Sequence, residues 1–202
     1  MSKARNPYRR PDAFTKAARA QGYPARSVFK LEEIDQRVRL LRPGQRVIDL
    51  GAAPGSWSMY AAKRIGASGK LLAIDLSEIL GTLGPNVRVV RGDALAIGSD
   101  DIAAFGPYDV VLSDMAPATS GSKISDQARS FELFMGAVAI AAAHGAPGSA
   151  FVGKIFMSDD FSSAKEAVRL QYEEVRTLRP EGPRSSSSEV FVVGLRQRGK
   201  GS

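Results

Sequence analysis

Residues 47–66, VIDLGAAPGSWSMYAAKRIG, constrain the fold more than any other stretch of this chain. An apolar run ends in an acid, Gly51 and Gly55 follow four residues apart, and a helical pattern begins. This order predicts a strand, a tight turn and a helix, a unit that binds ligands at the carboxyl edge of α/β sheets. The turn lacks the G-x-G-x-x-G spacing of dinucleotide-binding proteins, because Ala53 and Ser56 occupy the later glycine positions. A nicotinamide or flavin cofactor is therefore disfavoured, and a P-loop is disfavoured too because no Gly-Lys-Ser/Thr follows.

The rest of the chain alternates strand-like and helix-like patterns. Strands are predicted at 46–50, 70–75, 87–91, 109–114, 149–156, 174–178 and 189–195. Helices are predicted at 13–20, 27–41, 57–64, 100–104, 126–143 and 161–171. Strands separated by helices favour a parallel sheet covered on both faces, whereas the last two strands have no helix between them. We therefore predict an α/β, Rossmann-like fold with a mostly parallel seven-stranded sheet and an antiparallel edge.

Acidic residues follow the predicted strands at the positions where such a sheet binds its ligand. Gly51 and Gly55 allow the backbone to approach a ligand closely. Asp75 ends the second strand, where a carboxylate accepts hydrogen bonds from ribose hydroxyls, and Asp93 follows the third, within reach of an adenine amino group. Acids also suit a cofactor with a cationic centre, so the pattern predicts S-adenosylmethionine. Either acid taken singly is also consistent with a strand-end or turn residue, and Trp57 with a core side chain.

The excess positive charge lies in one segment. Residues 1–42 contain eleven Lys and Arg but four acids, which accounts for the whole net charge of +7. Such asymmetry is typical of a nucleic-acid contact, although a solvated helix face that aids solubility has the same composition. We expect a basic N-terminal helical extension at 1–42 that contributes to RNA binding, a methyltransferase domain at 43–196 and a basic flexible tail at 197–202.

Composition excludes several classes of protein. The chain has no cysteine and one histidine, which excludes disulfides and thiolate metal sites and disfavours zinc. No apolar run is long enough to span a bilayer. We therefore expect a cytoplasmic, metal-independent monomer without a membrane partner.

The residues and motifs that the chain lacks limit which kind of atom it can methylate. A cysteine nucleophile for carbon-5 methylation of pyrimidines is absent, and LSDMAPATSG after the fourth strand lacks the Pro-Pro-aromatic loop typical of amine methylation. A hydroxyl acceptor needs a general base, and lysine serves when burial or a neighbouring cation lowers its pKa. Candidates are Lys154 in an apolar strand, Lys30 in the basic segment, Asp114 after strand four and Glu189 at the last strand. Taken alone, each is equally explained as a solvated or strand-end charge.

Together, the segments FKLEEI, DLGAAPGSWS, AIDL, GDA, SDMAP, GKIF and SSEVFVV resemble the FtsJ/RrmJ family of ribose 2′-O-methyltransferases. The resemblance implies a Lys-Asp-Lys-Glu tetrad with Lys154 as proton acceptor, oriented together with the target hydroxyl by Lys30, Asp114 and Glu189. It implies cofactor contacts from the residues Gly55, Trp57, Asp75, Asp93 and Asp114. It implies a uridine of 23S rRNA in the large ribosomal subunit as substrate.

Two alternative functions stay open. The protein methylates tRNA or another RNA, or it is a non-catalytic rRNA-binding factor in ribosome assembly. The chain also departs from the family at two positions. Ser56 replaces a common glycine and is expected to narrow the methionine end of the pocket, and Phe191 replaces a common tyrosine and removes its hydroxyl.

Overall fold

The computed structural model describes residues 13–180 and 188–199, which form six helices and seven strands. The helices are α1 (Ala13–Ala20), α2 (Val28–Val38), α3 (Ser56–Ile65), α4 (Ser99–Ala103), α5 (Lys123–His144) and α6 (Phe161–Gln171). The strands are β1 (Arg46–Leu50), β2 (Lys70–Asp75), β3 (Val87–Arg91), β4 (Tyr108–Ser113), β5 (Gly145–Phe156), β6 (Tyr172–Leu178) and β7 (Glu189–Gln197). Every predicted element is present.

The strands form one sheet in the order β3-β2-β1-β4-β5-β7-β6. Pairs from β3 to β5 are parallel, and β7 is antiparallel to both β5 and β6. The predicted fold, mostly parallel with an antiparallel edge, is confirmed. The chain winds outward from β1 in one direction and from β4 in the other, so the carboxyl ends of β1 and β4 flank a topological switch point, where open α/β sheets bind ligands.

Helices cover both faces of the sheet because the central strands are apolar on both sides. In β1, Val47 belongs to the core cluster to which α1, α2 and α3 contribute, and its neighbour Ile48 belongs to the cluster to which α4, α5 and α6 contribute. This alternation follows from the two-residue period of a strand. The two basic N-terminal helices therefore share one hydrophobic core with α3.

The largest differences from the predicted bounds are the earlier starts of α5 and β5. Helix α5 starts at Lys123 because the hydroxyl of Ser122 caps it, accepting a hydrogen bond from the Ser125 amide at 3.4 Å. Strand β5 starts at Gly145, which pairs with Tyr108 before a register shift in the ladder. The sequence pattern 149–156 captured only the regular part of that strand.

The last strand extends one residue into the segment predicted as a tail. Gln197 belongs to β7 and is buried, and its Oε1 accepts a hydrogen bond of 2.6 Å from the Ser149 hydroxyl. Residues 1–12 of the predicted basic extension and 200–202 of the predicted tail lie outside the described residues. In the described ranges, no helix combines the length and apolarity needed to cross a membrane.

Candidate active site

A cleft of about 480 Å³ opens at the switch point. Its walls combine apolar side chains with three carboxylates, and include Gly51, Ile74, Asp75, Asp93, Ala94, Asp114, Met115 and Leu133. Apolar side chains beside carboxylate acceptors suit a nucleoside, whose base is apolar on its faces and whose hydroxyls are donors. The structure thus brings four of the six predicted cofactor residues, Gly51 and the three aspartates, to one cavity.

Two glycines let the loop after β1 pass close to neighbouring backbone. Gly51 has φ 76°, and a Cβ there would lie 2.7 Å from Cγ of Met115. Gly55 has φ 113°, and a Cβ there would lie 2.7 Å from the carbonyl oxygen of Leu80. Both positions therefore require glycine for conformation and for space. Gly55 shapes the loop but does not itself line the cleft.

Asp75 and Asp93 are held in place by backbone amides. Oδ2 of Asp75 accepts from the Ala53 amide at 2.9 Å, and Oδ1 accepts from the Ser77 amide at 2.7 Å. Oδ1 of Asp93 accepts from the Leu95 amide at 2.9 Å. Each carboxylate oxygen has a second lone pair. The two side chains are thus oriented at the cleft and retain acceptor capacity for a ligand.

The first turn of α3 anchors the segment that precedes α2. The Ser56 hydroxyl accepts from the Ala25 amide at 2.8 Å and donates to the Ala25 carbonyl at 3.1 Å. The indole Nε1 of Trp57 donates to the Ser27 carbonyl at 2.9 Å. The buried Ser56 side chain is bonded to Ala25 and is not among the residues that line the cleft, and its expected effect on the methionine end of the pocket stays a prediction.

The Trp57 ring belongs to the core and is only 3% exposed. It packs on Phe191 with ring centroids 5.7 Å apart and is not among the residues lining the cleft. A cofactor contact from Trp57 would therefore have to come from its backbone amide, which lies in the first turn of α3, where amides have no acceptor within the helix. Its predicted role in cofactor binding remains a prediction.

Lys154 and Asp114 form the first half of the predicted tetrad. Lys154 lies in β5 and is only 7% exposed. Its Nζ donates to Oδ1 of Asp114 at 2.8 Å and to the Asp114 carbonyl at 2.6 Å. A buried ammonium or amine is costly without partners, and Asp114 supplies two. Because Asp114 also lines the cleft, it joins the cavity to the lysine.

Lys30 and Glu189 form the second half. Nζ of Lys30, in α2, makes an ion pair with Oε1 of Glu189 at the start of β7. The same nitrogen lies 5.8 Å from the centroid of the Phe191 ring. Phe191 is fully buried, so it forms an apolar floor beneath Lys30, packed in turn on Trp57. A tyrosine hydroxyl is absent at this floor, as expected from the sequence.

The strand register places the two pairs side by side. On the antiparallel strands, Lys154 lies opposite Phe191, and Phe156 lies opposite Glu189. Opposed residues share a face of the sheet, as do residues two apart on one strand. Lys154 and Glu189 are therefore diagonal neighbours on the face covered by α2. The structure thus brings Lys30, Asp114, Lys154 and Glu189 together at one edge of the cleft.

Asp49 was not among the predicted site residues. It is fully buried in β1, and its Oδ2 accepts from the Ser58 hydroxyl at 2.6 Å, while Oδ1 is buried without a hydrogen-bond partner among the described residues. Burial, together with the nearby charges of Asp114 and Asp75, raises the pKa of Asp49 to about 7, and the hydrogen bond from Ser58 opposes this shift. An acid near the end of an otherwise apolar strand is the sequence feature from which Asp49 could have been predicted as a site residue.

The FtsJ-like methyltransferase family model matches residues 23–197. Ribosomal RNA large subunit methyltransferase E of Sorangium cellulosum is 72% identical, over 98% of this chain and 94% of that protein. The protein of the same name from Myxococcus xanthus is 42% identical, over 95% of this chain and 92% of that protein.

Solved structures share the fold at lower identity. A Plasmodium falciparum structure described as a ribosomal RNA methyltransferase superimposes with a TM-score of 0.77 at 23% identity, covering 88% of this chain and 100% of that one. The fibrillarin pre-rRNA processing protein of Methanococcus jannaschii gives a TM-score of 0.55 at 16% identity, covering 78% and 69%. At these identities the likeness concerns the fold.

Proposed function

The chain belongs to the FtsJ-like methyltransferase family, and on that premise we propose that it methylates a ribose 2′-hydroxyl, that of a uridine in 23S rRNA of the large ribosomal subunit. One observation carries the proposal: the nitrogen of a buried lysine, Lys154, donates two hydrogen bonds to Asp114, a residue that also lines the nucleoside-sized cleft. In this proposal the protein acts as a cytoplasmic monomer and uses no metal ion.

The cleft residues fit S-adenosylmethionine. Asp75 would accept hydrogen bonds from the ribose hydroxyls and Asp93 from the adenine amino group, since both carboxylates are already fixed by backbone amides. Gly51 and the first turn of α3 would border the methionine end, with Gly55 and Trp57 contributing through backbone. When bound, the cofactor supplies an electrophilic methyl group on a positively charged sulfur. The carboxylate of Asp114 would stabilise that positive charge.

Lys154 is proposed to take the proton from the acceptor hydroxyl. In its amine form a lysine has two N–H groups and one lone pair. Two hydrogen bonds to Asp114 use both N–H groups, which leaves the lone pair of Nζ for the proton of the ribose 2′-hydroxyl. Nζ would take the proton as the ribose oxygen gains the methyl group and the carbon–sulfur bond of the cofactor breaks, with the electron pair staying on sulfur. The Asp114 carboxylate would stabilise the resulting ammonium.

Lys30 and Glu189 would orient the acceptor ribose. Their ion pair lies on the same face as Lys154, so it presents a donor and an acceptor beside the hydroxyl that reacts. The pair is partly exposed, as a group that contacts a macromolecular substrate must be. A non-catalytic assembly factor would have no use for a complete tetrad, and this favours the enzyme over that alternative.

The direct test is methyl transfer from labelled S-adenosylmethionine to large ribosomal subunits of a strain that lacks this protein. We expect label in 23S rRNA as 2′-O-methyluridine at one position. Transfer to tRNA with no transfer to subunits would support the alternative RNA substrate instead. Label recovered on a base would contradict the proposal altogether.

A further inference from the structure

We infer that a second, cationic cleft, where α2 and α3 end, binds the sugar–phosphate backbone of the RNA that the tetrad modifies; this rests on the proposed function. The cleft has a volume of about 720 Å³ and lies between the two helices. Four cations line it, Arg39, Arg42, Lys63 and Arg64, together with Tyr23, Tyr60 and two acids, Glu32 and Asp35.

The floor of this cleft is a built network around Asp35, which is 2% exposed. Its Oδ1 accepts from the Leu41 amide at 2.8 Å. Its Oδ2 accepts from the Tyr60 hydroxyl at 2.9 Å and from Nε of Arg64 at 3.0 Å. The carboxylate is thus surrounded by internal donors. Because Arg64 is held through Nε, its two terminal nitrogens are free of that contact and stay at the exposed rim.

The rim carries more positive charge than the internal acids balance. Arg39, Arg42, Lys63 and Arg64 are all exposed, whereas one of the two acids is buried beneath them. Arg39 also has a left-handed backbone, φ 53°, at the C-cap of α2. That position favours glycine or asparagine, so an arginine there indicates a use for its side chain.

The chemistry of the rim selects an RNA backbone as the partner. Clustered cations repel one another, and a polyanion with closely spaced phosphates relieves that repulsion. Guanidinium groups bind phosphate oxygens in pairs, and the half-buried Tyr23 offers an aromatic edge to a ribose or base.

The position of the cleft extends the RNA contact away from the reacting hydroxyl. Lys30, at the tetrad, lies in α2, and Arg39, at the cleft, is the C-cap of that helix, nine residues later. That separation is about 14 Å along the helix axis. A single nucleotide at the tetrad cannot reach the cleft, so the cleft binds flanking rRNA.

The test uses a triple variant of the full chain, Arg39→Asn, Arg42→Gln and Lys63→Gln. Asparagine tolerates the left-handed backbone, and Arg64 is retained because Asp35 needs it. The matched control, Arg129→Gln, Lys165→Gln and Arg169→Gln, removes three cations from α5 and α6 on the other face of the sheet. Both are compared with the parent for binding to protein-free 23S rRNA, and for single-turnover methylation of undermethylated large subunits at saturating S-adenosylmethionine.

The cleft variant should need at least about tenfold more subunits for half-saturation, with a limiting rate within twofold of the parent. Its log–log salt dependence on 23S rRNA should be shallower by about two to three, because up to three phosphate contacts are lost. The control should match the parent in both measurements.

The inference is overturned if the two triple variants behave equally. It is also overturned if the cleft variant binds subunits more weakly but binds protein-free 23S rRNA unchanged, which would indicate a protein partner. A parent that methylates no subunits contradicts the proposed function alone, and RNA binding then decides on the cleft.

Discussion

At the scale of single residues, the hydrogen bonds of Lys154 lead to the sharpest prediction. General-base assistance contributes a factor of about 10² to 10⁴ to the rate. Lys154→Ala should therefore slow methyl transfer by at least about 10²-fold. Lys154→Arg should fail as well, because a guanidinium stays protonated and has no lone pair to offer. Both variants should still bind S-adenosylmethionine and RNA. Single-turnover transfer to large subunits is the measurement, and an arginine variant near the parent rate would show that Lys154 only positions charge.

The carboxylates of the cleft predict a loss of cofactor affinity. Asp75→Ala and Asp93→Ala should each weaken S-adenosylmethionine binding by about 1 to 3 kcal/mol, the scale of a charge-assisted hydrogen bond. Calorimetric titration measures this directly. Asp100→Ala, an exposed acid in α4, is the control and should bind like the parent. Affinities within twofold for both cleft variants would place the cofactor elsewhere.

The raised pKa of Asp49, about 7, predicts a pH dependence of stability. In the unfolded chain this carboxyl ionises near pH 4, whereas in the folded chain it keeps its proton up to about pH 7. The folded state therefore binds more protons between these values, so its free energy of unfolding falls as pH rises through that window. The total loss is on the order of 2 to 4 kcal/mol.

Asp49→Asn cannot ionise and should lack that component. Urea unfolding of parent and variant at pH 5 and pH 7.5 gives the comparison, in which titration of all other groups cancels. The decrease in unfolding free energy between the two pH values should be smaller for the variant. An identical decrease in both proteins would mean that Asp49 is ionised at pH 5.

At the scale of elements, the contact between α3 and the segment before α2 links the cofactor loop to the tetrad. Ser56 and Trp57 hold Ala25 and Ser27, and Lys30 follows within the first turn of α2. The loop that would border the cofactor thereby fixes the helix that carries Lys30. This coupling explains why a core tryptophan stands at the start of α3.

Trp57→Phe tests the coupling, because it keeps the apolar ring and removes the N–H bonded to Ser27. We expect methyl transfer to fall by at least about threefold with cofactor affinity nearly unchanged, since a lost hydrogen bond of about 1 kcal/mol lets α2 shift. Tyr108→Phe is the matched control: it removes a buried hydroxyl bonded to the Ile102 carbonyl on the other face. That variant should lose comparable stability and keep its rate. Equal rates for the two variants would show that Trp57 contributes to stability only.

At the scale of the whole molecule, local patterns predicted the sheet, its antiparallel edge and the residues at the strand ends. These predictions succeeded because the two-residue period of a strand and the glycines of a turn depend only on a few neighbouring residues. The start of α5 at Lys123 was also within reach, since Ser122 is a good helix cap. The family resemblance implied the tetrad, whose four proposed members come from separate segments that the fold brings together.

Contacts between distant segments could not be predicted from the sequence. Nothing near Ser56 indicates that its hydroxyl bonds to Ala25, and nothing near Asp35 shows that Tyr60 and Arg64 converge on it. The buried state of Asp49 likewise depends on the strands on either side of β1. These features arise only when the helices pack on the sheet.

The pairing of Lys30 with Glu189 joins positions 159 residues apart in the chain. A ribosome making this protein releases every residue that lines the cofactor cleft, the last being Leu133, well before it adds Glu189. The residues that line the cleft are therefore all synthesised before the partner of Lys30. Translation that stops short of β7 would leave a product with its cleft residues but without the partner of Lys30, and with β5 and β6 deprived of the strand between them. The Lys30–Glu189 pair is thus the last part of the candidate site to be synthesised.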